Sequence, residues 1–244
     1  MRPDIAQFRA FYDSRLGTIA RVLVRRRLRA LWPQVRGLDI LGLGYATPYL
    51  GPFVDEAARV IAAMPADQGA VAWPRSGRNR VVLADDTNLP FEDGSLDRVV
   101  VIHGLETSDA WRSLLRQIWR VLKPDGRLII VAPNRGGMWS AFGDQPYGQG
   151  HPYSRGQLER LLGDALFLPE KWEAALYGPP SKARLIMRNG KVWERIGRIF
   201  WPRMPGLWIV ECSRSMYAPS VGATPARRAA LAPVQVPARM NAPS

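Results

Sequence analysis

Residues 85–106 read DDTNLPFEDGSLDRVVVIHGLE, and residues 119–133 read WRVLKPDGRLIIVAP. Within them, residues 98–103 and 127–132 are largely apolar, as is typical of strands buried in a parallel sheet. Residues 108–123 lie between the two runs and carry an apolar stripe at helical spacing: Trp111, Leu114, Leu115, Ile118, Trp119 and Leu122. The stretch therefore predicts a strand–helix–strand unit with parallel strands.

The chain on both sides of this unit continues the same alternation. Further strands are predicted at 38–43, 59–64, 81–84 and 207–212, and further helices at 48–58 and 157–166. Successive parallel strands are joined by right-handed crossovers, so the helices should cover both faces of the sheet. Residues 134–153 are rich in Gly, Pro and aromatic residues and read as a long loop.

The block 85–133 resembles the small-molecule branch of class I S-adenosylmethionine-dependent methyltransferases, the type 11 methyltransferase domain. Members carry an acid before a Leu-Pro-Phe turn, then Asp-Gly-Ser-Phe-Asp, a strand, His-x-Leu-Glu and Arg-x-Leu-Lys-Pro-Gly-Gly. This chain matches their order and spacing over residues 36–135, and more loosely over 150–215. The resemblance implies an α/β, Rossmann-like class I methyltransferase fold, with a mostly parallel central sheet and helices on both faces.

The same resemblance implies S-adenosylmethionine as cofactor, bound at the carboxyl ends of the strands. Asp85 matches the acid that accepts a hydrogen bond from the adenine amino group, although a turn-forming Asp is the other interpretation. Asp86 is an additional acid. The positions implied for the cofactor are the glycine turn, the turn after the third strand and the end of the fourth strand, namely Gly42, Gly44, Ala46, Asp85, Asp86, Leu89 and His103.

Two family acids are displaced or missing. The acid two residues before the first glycine is replaced by Ile40, while Asp39 lies one residue too early and should point to the other face of the strand. The acid that ends the second strand is also absent, and Asp67 is a substitute from the following loop. Loss of one such charge-assisted contact should weaken cofactor binding by roughly tenfold to a hundredfold.

The chain has two histidines, and both are candidates for a general base. His103 ends the fourth strand, where the family places residues facing the acceptor, and its alternative role is structural. His151 lies in the long loop, where an ordinary surface histidine is the alternative. Tyr147 and Tyr153 flank it and are candidates for lining the acceptor site. Glu106 is interpreted as mainly structural.

Composition limits the remaining possibilities. The 244 residues carry a formal charge of +13, which favours an anionic partner such as nucleic acid, an acidic membrane surface or a phosphorylated substrate. The single cysteine, Cys212, cannot form a disulfide framework, and no metal site is predicted. The sequence has no apolar run long enough to span a membrane, and arginines interrupt the N-terminal region, so a cytoplasmic protein is expected.

Three regions are predicted. Residues 1–34 form an amphipathic helical region packed on the domain, residues 35–217 form the methyltransferase-like domain, and residues 218–244 form a disordered basic tail rich in Ala and Pro. Within the domain, basic and aromatic residues are interleaved over 178–206. This segment is interpreted either as a solvated face or as a surface for anionic membrane or RNA.

Three functions remain open. The first is methyl transfer to a small-molecule or lipid-like acceptor. The second is a catalytically inactive methyltransferase-like protein with a binding or regulatory role. The third is an RNA or protein methyltransferase that uses the basic surface, although the Asn/Asp-Pro-Pro-Tyr type motif of base-amine methyltransferases is absent after the fourth strand. The oligomeric state is not predicted.

Overall fold

A computed structural model describes residues 2–143, 145–180, 190–201 and 204–215, without the side chains of 190–193. These residues form a seven-stranded sheet made of β1 (Asp39–Gly44), β2 (Arg59–Pro65), β3 (Val81–Ala84), β4 (Leu96–Ile102), β5 (Leu122–Pro133), β6 (Phe167–Ala175) and β7 (Leu207–Arg214). The strand order is β3-β2-β1-β4-β5-β7-β6. Strands β1 to β5 pair in parallel, and β7 runs antiparallel to both β5 and β6. The Rossmann-like α/β fold is confirmed.

Two helices precede the sheet, α1 (Ile5–Asp13) and α2 (Arg15–Leu31). Ser14 separates them in an extended conformation, and its hydroxyl accepts a hydrogen bond from the Gly17 amide at 3.1 Å as the N-cap of α2. A Cβ on Gly17 would lie 2.1 Å from the carbonyl oxygen of Phe11. The glycine therefore allows the tight turn that folds α1 back across the end of α2.

The core has two layers, one on each face of the sheet. Side chains alternate along β1, so Ile40 packs beneath α1 and α2, whereas Leu41 packs beneath α4 (Trp111–Val121) and α5 (Arg155–Asp164). The helices thus cover both faces. A capping box at Ser154 begins α5, one residue before its first turn.

The structure departs from the predicted elements at two places. The helix expected at 48–58 is only a short α3 (Thr47–Leu50) and a 3₁₀ turn (Gly51–Phe53), because Gly51 and Pro52 follow at once and disfavour a longer helix. Strand β6 was not among the predicted strands. It precedes the last described helix, α6 (Gly190–Phe200), which packs beside β6 through Glu194.

The predicted tail, residues 218–244, lies outside the described residues, as do residues 181–189 of the basic and aromatic segment. Within the described ranges, no helix is long and apolar enough to cross a membrane. Those ranges also hold no group of three or more His, Cys, Asp or Glu that could bind a metal ion.

Candidate functional site

The carboxyl ends of β1 and β4 meet at the glycine turn. Gly44 has φ +77°, and a Cβ on it would lie 2.4 Å from the Ile102 carbonyl oxygen. The Tyr45 amide donates to that same carbonyl at 2.9 Å. Gly42 is equally crowded, since its Cβ would meet the side chains of Leu50 and Ala46. These glycines bring the turn after β1 against the end of β4.

A cavity of about 290 Å³ opens beside this turn at the ends of β2 and β3. Four carboxylates are among the residues that line it: Arg2, Ala66, Asp67, Ala84, Asp85, Asp86, Asp109 and Ala110. A narrow recess continues towards the turn and touches Gly44, Met64 and Leu89. The cavity is therefore acidic, with apolar and glycine surface at its inner end.

The Arg2 side chain closes one side of this cavity. It is only 7% exposed and donates to Asp67 at 3.1 Å and to the Thr107 carbonyl at 3.2 Å. It also forms an ion pair with Asp86, which accepts a further hydrogen bond from the Ser108 hydroxyl. One guanidinium thus joins the loop after β2 to the turn after β3.

Asp85 has mainly local partners. Its carboxylate accepts hydrogen bonds from the amide and the hydroxyl of Thr87, both at 2.7 Å. The bond from the Thr87 amide is the main cause that lowers the pKa of Asp85. The carboxylate therefore orders the turn while it also lines the cavity.

Arg120 on α4 holds the Leu-Pro-Phe turn in place. Its guanidinium donates to the carbonyls of Leu89 and Phe91, each at 2.8 Å, and to Gln117. Lys123 contacts both oxygens of Asp97 at 2.8 and 2.9 Å. Two motifs that lie about 30 residues apart in the sequence are therefore bonded to each other beneath the cavity.

A buried cluster of hydroxyls adjoins the glycine turn. The Tyr12 hydroxyl lies 2.7 Å from Nε2 of His103, 2.8 Å from the hydroxyl of Tyr49 and 2.9 Å from that of Tyr147. The hydroxyls of Tyr49 and Tyr147 are 2.6 Å apart. Helix α1, α3 and the long loop each contribute one tyrosine to this cluster.

His103 occupies the residue immediately after β4. Its φ is +54°, a conformation uncommon for a residue with a side chain, and its ring is fully buried. Nδ1 lies 3.2 Å from Oε1 of Glu106, which is 1% exposed. Both Glu106 oxygens lack a well-aligned hydrogen-bond partner among the described residues. The imidazole thus lies between a buried carboxylate and a phenol.

This arrangement favours one direction of hydrogen bonding. A proton on Nδ1 faces the Glu106 carboxylate, which leaves the lone pair of Nε2 to accept from Tyr12. Burial raises the pKa of Tyr12 and of Tyr147 well above the ordinary value, and it raises the pKa of Tyr49 to about 12. The phenols therefore stay protonated at neutral pH and act as hydrogen-bond donors to their neighbours.

Aromatic rings enclose the cluster. Phe8 of α1 stacks on Tyr45 of the glycine turn with ring centroids 5.1 Å apart, and it lies 4.8 Å from the His103 ring. Trp139 approaches Tyr147 at 5.8 Å from the other side. Phe8 and Tyr12 therefore fill the space between the glycine turn and His103.

The other predicted site residues lie around this centre. His151 is exposed, and its amide donates to the Glu106 carbonyl at 2.8 Å. Tyr153 is half-buried, with its hydroxyl 3.5 Å from the Leu105 carbonyl, and burial raises its pKa to about 12. Asp39, which was not expected at the site, pairs with Arg59 at the opposite end of the sheet. His103 and Tyr147 thus meet directly, whereas His151 and Tyr153 lie outside the cluster.

Three residues of the site were not predicted from the sequence. Tyr12 and Tyr49 were absent because helical spacing places a residue on a stripe without showing which polar group it meets. Arg2 was absent because it precedes the first helix and has no pattern around it. The helical spacing of Phe8 and Tyr12 was the only signal that could have indicated an aromatic cover.

S-adenosylmethionine is the cofactor that the resemblance implies, and the residues fit its adenosyl end. Carboxylates from the loops after β2 and β3 face one cavity, as hydrogen bonding to ribose hydroxyls and an adenine amino group requires. Asp67 supplies a carboxylate near the end of β2, where Met64 and Pro65 have none. The aminoacyl end would adjoin the glycine turn, where Phe8 now packs on Tyr45.

Comparisons with known proteins agree with this fold. A sequence profile of the methyltransferase domain matches residues 38–130. A demethylmenaquinone methyltransferase of Corynebacterium urealyticum is 33% identical over 112 residues, which cover 45% of this chain and 47% of that protein. A Mycobacterium tuberculosis protein named as a probable S-adenosylmethionine-dependent methyltransferase is 31% identical over 166 residues, covering 66% of this chain and 60% of that protein. The chain thus spans about half to three-fifths of these relatives.

Solved structures show the same fold at lower identity. An S-adenosylmethionine-dependent methyltransferase of Thermotoga maritima aligns with a TM-score of 0.58 and 16% identity, over 86% of this chain and 95% of that one. One from Archaeoglobus fulgidus aligns with a TM-score of 0.56 and 22% identity, over 80% and 94%. The matching domain profile and the shared strand order lead to one conclusion: residues 38–130 match the methyltransferase domain family, and the described residues have the fold of class I S-adenosylmethionine-dependent methyltransferases.

Proposed function

We propose that the protein transfers a methyl group from S-adenosylmethionine to a small or lipid-like acceptor that presents a phenol or enol hydroxyl. The observation that carries this proposal is the Tyr12 hydroxyl, 2.7 Å from Nε2 of the buried His103. The phenol of Tyr12 is thus within hydrogen-bond distance of the candidate general base, His103. In the proposed complex, the hydroxyl of an acceptor of the same chemical kind replaces the Tyr12 hydroxyl at Nε2.

In this mechanism His103 receives a proton at Nε2 while Glu106 faces Nδ1. When held by the acidic cavity and the glycine turn, S-adenosylmethionine would supply an electrophilic methyl group, with a neutral thioether as the by-product. The acceptor oxygen gains the methyl group and gives up its proton to Nε2, so charge is conserved. The Glu106 carboxylate stabilises the imidazolium that results, because it is buried 3.2 Å from Nδ1. The aromatic rings exclude water, which favours alignment of the reacting atoms.

The lining of the site supports a flat, apolar acceptor. Phe8, Tyr45 and Trp139 surround the cluster with buried aromatic rings, and Tyr147 adds a buried hydroxyl. Rings of this kind pack against aromatic ligands by offset stacking and edge contacts. Several relatives are named as demethylmenaquinone methyltransferases, and this similarity supports a flat ring of the quinone type as the acceptor here.

The test combines binding with turnover. Formation of S-adenosylhomocysteine should be detectable with phenolic or hydroquinone acceptors, and H103N should lower kcat by about 10²-fold or more while cofactor affinity stays within about threefold. H151N is the matched control, because His151 is exposed, and should leave kcat unchanged. Equal loss in both variants, or full activity in H103N, would contradict the role assigned to His103.

A second candidate function is a binding protein without catalysis. It is favoured by Ile40 and Met64, which stand where the family carries cofactor acids, and by Arg2, which already neutralises Asp67 and Asp86. Isothermal titration with S-adenosylmethionine separates the two functions. The absence of any binding heat at high protein concentration would favour this second candidate and exclude the catalytic proposal.

A further inference from the structure

Helix α6 is fixed to the domain by one face. The Glu194 carboxylate accepts the Leu176 amide at 3.0 Å and the Tyr177 amide at 2.9 Å, just after β6. A Cβ on Gly197 would lie 2.4 Å from Cβ of Tyr177, so the helix backbone lies directly on that residue. The inner face of α6 is therefore determined by a buried carboxylate and a close backbone contact.

The outer face of α6 and the residues after it expose large apolar side chains. Ile199 is 64% exposed, Phe200 73% and Met204 49%, and Arg195 and Arg198 are exposed beside them. Single exposed apolar side chains are ordinary on protein surfaces. Several large ones close together in the sequence and beside arginines are typical of an interaction surface. We call Ile199, Phe200 and Met204 with Arg195 and Arg198 the α6 patch.

Basic residues dominate the sequence on both sides of the patch. Between residues 176 and 210 the sequence has seven Lys or Arg and a single acid, Glu194, whose carboxylate is turned inward. Apolar side chains that project among basic ones are the pattern of a segment lying in the interface of an anionic bilayer. There the arginines meet lipid phosphates and the apolar side chains enter the acyl boundary.

We propose that the α6 patch is a docking surface for an anionic lipid bilayer. A lipid surface explains the patch better than RNA does, because two of its three apolar side chains, Ile199 and Met204, have no ring on which a base could stack, whereas hydrocarbon accepts any apolar side chain. The side chains of the patch project from the surface. An amphipathic peptide helix binds in an apolar groove, whereas a bilayer is contacted by projecting side chains, so the bilayer fits the patch better.

The α6 patch is connected to the wall of the candidate site. The indole N–H of Trp139 donates to the Gly178 carbonyl at 2.8 Å, and its ring contacts Tyr147. A Cβ on Gly206, just after the patch, would lie 2.5 Å from the Trp139 ring. Docking would thus bring the acceptor side of the site close to the bilayer; this last step rests on the proposed function, and the docking itself does not.

Sedimentation of the full chain with lipid vesicles tests the proposal. Phosphatidylcholine vesicles with about 30% phosphatidylglycerol should bind the protein, and pure phosphatidylcholine should bind it at least about tenfold more weakly. The double variant R195Q/R198Q should lose about thirtyfold in partition coefficient, from about fivefold for each charge near an anionic leaflet. The double variant I199S/F200S should lose about tenfold or more.

Two matched variants serve as controls. R116Q/R160Q removes the same charge from exposed positions on α4 and α5, and L168S removes an exposed leucine from β6. Both should keep wild-type binding.

Equal losses in the control and the patch variants would overturn the proposal, as would equal binding to neutral and anionic vesicles. Binding to oligouridylate that is lost in R195Q/R198Q, without vesicle binding, would assign the patch to RNA instead. No step needs cofactor or turnover, so failure here is distinguishable from failure of the proposed function.

Discussion

Replacement of Tyr12 by Phe tests whether the buried hydroxyl cluster stabilises the fold. The change removes one oxygen that makes contacts of 2.7, 2.8 and 2.9 Å and leaves the ring in place. Tyr49 and Tyr147 keep their mutual hydrogen bond at 2.6 Å, so they are not left without a partner. The change mainly affects Nε2 of His103, which loses its hydrogen bond with the Tyr12 hydroxyl.

The expected cost follows from these contacts. A typical net hydrogen bond contributes about 0.5–1.5 kcal/mol, and a buried acceptor left without a donor costs about 1–3 kcal/mol. Because two of the three partners retain a bond, we expect the Tyr12→Phe variant to lose about 2–3 kcal/mol in the free energy of unfolding. For a chain of this length that corresponds to a fall in Tm of about 5–10 °C.

Urea denaturation followed by circular dichroism and fluorescence measures this loss. Tyr153→Phe is the matched control, since its half-buried hydroxyl makes one 3.5 Å contact, which is too long to contribute much. We expect that control to change the free energy of unfolding by less than about 0.5 kcal/mol. If the two variants cost the same, or if Tyr12→Phe is neutral, the hydroxyl cluster does not stabilise the protein as argued.

Further predictions concern other parts of the fold. Because the folded state holds the proton of Tyr49 with a pKa of about 12, its contribution is complete below about pH 10 and should fall by about 2–3 kcal/mol towards pH 12; the Tyr49→Phe variant should show a shallower fall between about pH 10 and pH 12 in urea titrations. Arg120→Ala should weaken S-adenosylmethionine binding by about tenfold in calorimetry, since the turn beside the adenosyl cavity loses its anchor, whereas Arg116→Ala on the exposed side of the same helix should not. Burial raises the pKa of the Cys212 thiol, so modification by a disulfide reagent should be at least about 10³-fold slower in the native protein than in urea, and a fast native reaction would contradict its burial in β7.

The sequence was sufficient for the central sheet because its signals there are local and strong. The apolar runs of β4 and β5 and the stripe of α4 follow one another with clear turn residues between them. Edge strand β6 gave no such signal. Its pairing with β7 shifts register between Pro169 and Lys171, and its polar residues break any alternation, so only the partner strand defines it.

The candidate site was only partly predictable for a related reason. The glycine turn and His103 lie next to strands, so their position follows from the fold. Tyr12 contacts His103 across a sequence separation of 91 residues. Arg2 forms ion pairs with Asp67 and Asp86, which lie 65 and 84 residues further along the chain. Such polar contacts depend on how helix α1 docks, which no local pattern determines.

Helix α1 has a consequence for the rate at which ligands exchange. A ligand that reaches His103 past the glycine turn must wait until the segment carrying Phe8 and Tyr12 moves aside, so only the open fraction of the protein can bind. An opening free energy of about 2 kcal/mol would leave about 3% of molecules open and raise the apparent Kd about thirtyfold. Escape of a bound ligand also requires this opening, so it would be slow once the segment has closed again. A long residence time would then coexist with modest affinity. Movement of the N-terminal segment would limit the rates at which ligands bind and dissociate.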